Sequence, residues 1–531
     1  MSLFRIKSVD GIISDSKKAA NKLKRSLTWV DLIFLGIGAI VGAGIFATIG
    51  TAAAGDGERL GAGPALMLSF VLTAIGCGFS ALCYAEFAAM VPIAGSAYTY
   101  SYATLGELIA WIIGWDLIIE YAIGNVAVAV SWSGYFCELL SGFGIYFPKW
   151  MVVDYRTAFA KDNSLTTATQ MIENGLNFVG IPHSFSFPSL NIVDSAPHIL
   201  GIPIIFNFPA VAIVALLTVL IVVGIKESAR FNEVMVSIKL IVLAFFCIVG
   251  YFYVRPENFV PFAPNGFSGI LSGAAIVFFA YIGFDAVSTL AEETKDPGRD
   301  LPIGIVGSLV ICTLIYVLVT AVFVGVMPFT GLQHMLASEK AEPLTMALKY
   351  IGGIADPVSF TRKFMAYAAT FVAFGSVVAH TAVLLVFQIG QPRIFFSMSN
   401  DGLLPPVFSK VHPKFKTPYV STILTGCVAM VFAGILPISV LSELVSIGTL
   451  LAFTIVCIGI IVLRKTRPEI PRPFRTPWVP LIPILGAVVC LAQMVSLPFD
   501  TWLRLLIWMG LGFLIYFLYS VKHSKFHKPG L

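Results

Sequence analysis

Residues 36–46 read GIGAIVGAGIF. The stretch lies inside an apolar run long enough to cross a bilayer, yet Gly36, Gly38, Gly42 and Gly44 crowd into it. Lipid offers the backbone no hydrogen bonds, so a spanning helix must satisfy its own. Each glycine weakens a helix by about 1 kcal/mol relative to alanine. The cluster predicts a helix opened at mid-membrane depth, which is tolerated only where protein or a water-filled cavity surrounds the freed backbone. The competing reading is close helix packing through small residues.

The surrounding composition fits a membrane setting. The chain has 531 residues, 57% hydrophobic and 12% charged, where a soluble domain carries about 25% charged residues. About 20 apolar residues cross the hydrocarbon core. On that rule the expected fold is an all-α polytopic membrane protein with twelve spans. They fall at 29–54, 64–92, 106–141, 204–225, 229–254, 267–291, 302–328, 363–390, 418–437, 441–463, 478–497 and 502–520. The basic stretch up to Arg25 lacks the short apolar core and cleavage site of a signal peptide, so none is expected. With the N-terminus inside, the inner segments carry more than twice as many lysines and arginines as the outer ones. That asymmetry predicts both termini in the cytoplasm and a multi-pass protein of the plasma (inner) membrane. The net charge of +5 is thereby a topology signal and points to no nucleic-acid partner. The eight cysteines fall in apolar segments without metal-ligand spacing, and are read as small buried hydrophobes. The connection at 142–203 reads as a packed external cap.

Span six echoes span one. It runs apolar to Phe279, breaks at AYIGFD (280–285), and resumes as AVSTLAEE. Interrupted spans in corresponding positions of two five-span halves are the pattern of an inverted repeat, and the best sequence pointer to a transporter's binding site. The expected organisation is a tail at 1–28, a first repeat at 29–254, a second at 267–463, accessory spans at 478–520 and a tail at 521–531.

Four stretches carry a resemblance: GIGAIVGAGIF at 36–46, YAEFAAMVPIAGSAYTYSYATLGELIAWIIGWDLIIEY at 84–121, FFAYIGFDAVSTLAEETKDPGRDLPIGI at 278–305 and GQPRIFFSMSNDGLLPP at 390–406. With them the chain resembles the amino acid–polyamine–organocation superfamily, in particular its cationic amino acid transporter branch with bacterial proton-coupled relatives. The resemblance covers about 29–520. It implies the LeuT fold: ten core helices in two inverted repeats of five, plus two accessory helices.

The two breaks suggest complementary chemistry. An opened helix exposes amide N–H groups and a partial positive charge at the start of its second half. In span one these are the amides around Gly42, Ala43, Gly44 and Ile45, which suit a carboxylate, and glycine lets it approach closely. In span six the carbonyls of Phe279, Ala280 and Ile282 suit an ammonium group. Together they describe a receptor for an α-amino acid, an arrangement for which LeuT is the handed-down example. By the resemblance these positions, with Ile40, hold the substrate backbone, and Phe279 is a candidate to close over it.

Lys239 lies about a third of the way into span five. An intramembrane ionisable residue is a functional candidate by default; the bland alternative is a lysine snorkelling to the interface. In proton-coupled relatives, by the resemblance, a lysine here occupies the place of sodium in sodium-coupled carriers and touches the span-one break. His380 in span eight titrates near neutrality in its unperturbed form and, by the resemblance, faces the substrate side chain; the bland reading is a hydrogen-bonded core histidine. Ser376, a turn earlier, and Glu120 in span three are secondary candidates, Glu120 for proton movement or a structural pairing. Asp285 suits a helix start. Glu292, Glu293, Lys295, Asp296 and Arg299, with Arg393, are candidates for inner-gate ion pairs.

No metal cluster, cofactor site, nucleophile–base arrangement or phosphate-binding loop stands out in the sequence, so an enzyme is not expected. The expectation is a proton-coupled importer of neutral L-amino acids working by alternating access, driven by the proton gradient with no cofactor. Its partners are a small amino-acid substrate, protons and the lipid bilayer, with or without a small membrane subunit. The alternatives are an amino-acid exchanger without net proton coupling and a non-transporting amino-acid sensor.

Overall fold

The computed structural model describes residue 6 and residues 27–55, 59–90, 96–159, 192–223, 229–336, 342–354, 359–415 and 417–525. The basic tail before residue 27, Lys226, Lys416, the polar middle of the 142–203 connection and residues 526–531 bear on the topology argument and lie outside them.

Eight described helices are long and apolar enough to cross a bilayer. Trp29–Ile40 and Gly44–Ala54 make a further span together, bent by 42° at their junction. Three shorter apolar helices, Phe208–Val223, Tyr419–Ile435 and Leu481–Val495, stand where spans four, nine and eleven are expected. The chain is an all-α polytopic membrane protein, and a count of twelve depends on including those three short helices.

Span one starts at a capping box. The Asp31 carboxylate accepts from the Thr28 amide and hydroxyl, both at 2.7 Å, which satisfies donors a helix start would leave orphaned. The helix then runs to Ile40, and Val41 leaves it with an extended ψ of 99°. Chain direction recovers through a π-helical turn, Gly44–Thr48, before α-helix resumes at Ile49–Ala54.

Span six opens differently. Its α-helix, Gly266–Val277, tightens into a 3₁₀ turn at Phe278–Tyr281. Ile282 is extended, and Gly283 has φ +118°, a conformation that only glycine adopts without strain. The sequence predicts a resumed helix after the break; Asp285–Glu293 resumes as 3₁₀ winding. The start of span one and the end of span six are tied together. The Leu27 amide donates to Glu293 O at 3.0 Å, and the Lys295 amide to Leu27 O at 2.9 Å.

Spans three and eight form the long frame beside the breaks. Glu107–Ser141 has 35 residues and Phe360–Asn400 has 41; at 1.5 Å per residue the latter is about 60 Å long, twice the hydrocarbon thickness. It exceeds the expected 363–390 at both ends. A short helix, Ser96–Thr104, also lies where the sequence suggests only a connection. In the outer connection, Ala158, Ile192, Ala196 and Ile205 form a small separate apolar cluster. Six cysteines are buried and Cys137 is partly so; Cys427, expected inside, is exposed on Tyr419–Ile435.

A buried ion network ties span two to span ten and the segment after it. It centres on Glu86 at the inner end of span two, which is fully buried. Its carboxylate accepts from Arg464 Nε at 3.0 Å and Nη2 at 2.7 Å and from the Thr476 amide at 2.8 Å, with Arg472 Nε 3.3 Å away. Breaking a buried pair by removing one charge costs about 3–5 kcal/mol, because the partner stays buried and uncompensated. Glu86→Gln is therefore expected to lower the thermal midpoint of the detergent-purified protein clearly, whereas a change at the exposed pair Arg467–Glu469 leaves it in place. Thermal unfolding followed by intrinsic fluorescence checks both.

Candidate functional site

The two breaks meet. A Cβ added at Gly44 would strike the backbone of Ala280, and one added at Gly283 would lie 2.9 Å from the Ala39 carbonyl. Glycine is thus required at both positions by a close approach of backbone to backbone. Gly42 is nearly as confined, because a Cβ there would lie 2.9 Å from Val383 of span eight. All nine expected substrate-site residues are buried: Ile40, Gly42, Ala43, Gly44 and Ile45 on one break, Phe279, Ala280 and Ile282 on the other, and His380 beside them.

Opening span one frees carbonyls at the end of its first half, and side chains from other spans meet them. Lys239 is fully buried, and its Nζ donates to Gly38 O at 2.7 Å and Val41 O at 3.0 Å. It grips the break itself, so snorkelling to the interface does not describe it. Tyr316 of span seven reaches the next carbonyl. Its Oη lies 3.0 Å from Ile40 O and 2.8 Å from Ala280 O, touching both breaks. Beyond the break the Thr48 hydroxyl donates to Gly44 O at 2.6 Å, and the Tyr135 hydroxyl to Phe46 O at 2.6 Å. The sequence reading missed Tyr316 and Tyr135. A tyrosine in an apolar span looks like any packing aromatic until its hydroxyl's partner is known.

His380 sits against the second half of span one, its ring 5.6 Å from Phe46 and 5.7 Å from Tyr135. Its Nδ1 lies 2.7 Å from Ser376 O and its Nε2 2.7 Å from Ser131 Oγ. A carbonyl only accepts, so Nδ1 carries a proton. Both ring nitrogens are used inside the protein, and Ser376 serves His380 rather than Lys239.

On the inner side of the breaks, a small cavity is lined by Ala39, Glu120, Ile282, Gly283, Asp285 and Val383 among others. Glu120 is buried with Oε2 unpartnered among the described residues, and so are both oxygens of Asp116 one turn earlier. Asp285 is buried too, against the backbone amides of Gly283 and Ala286, in keeping with a role at the start of the second half of span six. Asp116 in GWDLIIEY was not singled out from sequence. Among the described residues no group of histidine, cysteine or carboxylate side chains is placed to hold a metal ion.

Comparison with known proteins adds independent information. A family profile described as amino acid permease matches residues 27–515. The methylthioribose transporter of Bacillus subtilis (strain 168) is 43% identical over 529 residues, covering 99% of this chain and 100% of that protein. The branched-chain amino acid permease BcaP of the same organism is also 43% identical, over 530 residues and 99% of each chain. The vacuolar cationic amino acid transporter 4 of Arabidopsis thaliana is 36% identical over 478 residues, 88% of this chain and 68% of that protein.

The contact of Gly44 with Ala280 yields a direct expectation. Overpacking a tight site costs about 1–3 kcal/mol, and more where backbone has to move. Gly44→Val is expected to weaken ligand binding by about a hundredfold, the equivalent of some 3 kcal/mol. Ligand-induced thermal stabilisation of the purified variant measures it, and a wild-type response would contradict the contact.

Proposed function

The chain belongs to the amino acid permease family, and from that premise we propose that it is a proton-coupled importer of neutral L-amino acids working by alternating access. Transport, and not enzymatic chemistry, is common to the family and its relatives. The coupling to protons and the substrate class are the proposal.

The observation that carries the coupling is the grip of Lys239 on Gly38 O and Val41 O. As an ammonium it makes charge-assisted bonds, about twice as strong as neutral ones. A proton arriving from outside tightens the first half of span one onto span five. Its departure leaves a neutral amine with weaker ties, and that half-helix is then free to swing. The substrate carboxylate would meet the amides at Gly42, Ala43, Gly44 and Ile45, and its ammonium the carbonyls of Phe279, Ala280 and Ile282. The reading places the protein in the plasma membrane with both termini cytoplasmic, in a LeuT-type core of two inverted repeats.

Two features favour a neutral side chain. His380 spends both nitrogens on Ser376 and Ser131 and presents ring surface together with Phe46. BcaP, at 43% identity over essentially the whole chain, is described as a branched-chain amino acid permease. A second reading is supported by equal identity to a transporter of methylthioribose, an uncharged ligand that would leave the two helix ends without ionic partners. Exchange of internal for external amino acid is the third.

Reconstituted proteoliposomes separate these. With an imposed inward proton gradient and no internal substrate, a neutral amino acid is expected to accumulate and to be competed by branched-chain amino acids, not by methylthioribose. Accumulation only with internal amino acid would establish exchange, and accumulation of methylthioribose alone would establish the second reading. Lys239→Ala is expected to abolish gradient-driven accumulation to the level of empty vesicles; uphill uptake by that variant would overturn the assignment of the proton to Lys239.

A further inference from the structure

Tyr316 lies in ICTLIYVLVTAV of span seven, fully buried, with its ring 5.4 Å from those of both Phe70 and Tyr281. Packing fixes the ring, so the hydroxyl has little choice of direction. It is 3.0 Å from Ile40 O and 2.8 Å from Ala280 O. A phenol carries one proton. At any instant it satisfies one of these two buried carbonyls fully and leaves the other short of a donor.

The two acceptors belong to different machinery. Ile40 ends the first half of span one, between Gly38 and Val41, whose carbonyls Lys239 holds. Ala280 lies in the break of span six and is one of the carbonyls available to an ammonium group. A buried polar group without a partner is costly, so the occupancy of one carbonyl biases the phenol toward the other.

We infer that Tyr316 is a positioning residue for transport, one whose proton turns between Ala280 O and Ile40 O and so relates ammonium binding at span six to the Lys239 turn of span one. This rests on the reading of the ligand as an α-amino acid. With the site empty, the phenol donates to Ala280 O, and the first half of span one is held by Lys239 alone. When an ammonium takes Ala280 O, the phenol proton turns to Ile40 O without leaving its oxygen. The same half-helix is then held by both side chains. Recognition of the ammonium and the stiffness of the span-one turn become one event.

The test is Tyr316→Phe, which keeps the ring in its packing and removes the hydroxyl. Dissociation constants are measured on the purified protein for a panel of neutral L-amino acids, each beside its desamino carboxylate, as valine beside isovalerate. Hydrogen exchange of the backbone amides at 38–45 is followed on both proteins at saturation with each ligand. In the wild type the amino acid is expected to slow exchange there about tenfold more than its desamino partner does, the size of one hydrogen bond, and in the variant that difference is lost. A difference that persists in the variant overturns the role, and so does a wild type that shows none. A wild-type protein that binds no α-amino acid refutes the underlying reading instead, and that outcome is visible before the variant is made.

Discussion

Lys239 Nζ and Tyr316 Oη between them meet the carbonyls of Gly38, Ile40, Val41 and Ala280. Those groups would ordinarily be paired inside a helix, and in a bilayer no solvent replaces a lost partner. The opening of span one is therefore possible only because spans five and seven bring donors to it. The centre of the molecule follows from this requirement. Lysine supplies several donors on a flexible stem, and tyrosine supplies one donor on a ring anchored by packing. The flexible donor serves span one only, whereas the rigid one touches both breaks.

Close approach is the complementary constraint. Backbone reaches backbone at Gly44–Ala280 and at Gly283–Ala39, so no side chain separates the two opened helices. The opened segments of the two spans therefore lie directly against each other. The residues facing each other across this contact are buried. The tie between Leu27 and the Glu293–Lys295 segment joins the two broken spans at a second place.

Around this centre stands a frame of stiff, well-anchored helices. Glu86 joins span two to Arg464 of span ten and to Arg472 and Thr476 in the segment that follows. Span twelve is keyed to span three through tryptophans: Trp115 Nε1 donates to Trp508 O at 2.8 Å, Trp508 Nε1 to Trp115 O at 3.1 Å, and Trp111 Nε1 to Gly512 O at 3.1 Å. These contacts are hydrogen bonds at buried or half-buried positions, where the alternative is an unpaired polar group in an apolar setting. They hold spans three and twelve as one block, against which the broken spans have a fixed reference.

Composition and apolar length determined the membrane class, and the glycine cluster of span one and the AYIGFD interruption of span six located the breaks, because these properties depend on residues close together in the chain. Lys239 was legible as a candidate for the same reason: a charge in an apolar span is conspicuous wherever its partner lies. The partners were not legible. Glu86 and Arg464 are nearly four hundred residues apart, and Tyr316 reads as one more aromatic in an apolar run. The histidine at 380 appeared free to meet a ligand until Ser131 and Ser376 were found at its two nitrogens. The 3₁₀ winding after Gly283 and the helix at Ser96–Thr104 likewise depend on what packs against them. The sequence by itself determined that the chain is an all-α polytopic membrane protein and where two of its apolar segments are interrupted. Only the tertiary structure decided which donors answer the opened carbonyls, because a hydrogen bond is set by distances of about 3 Å between groups that the chain places in different spans.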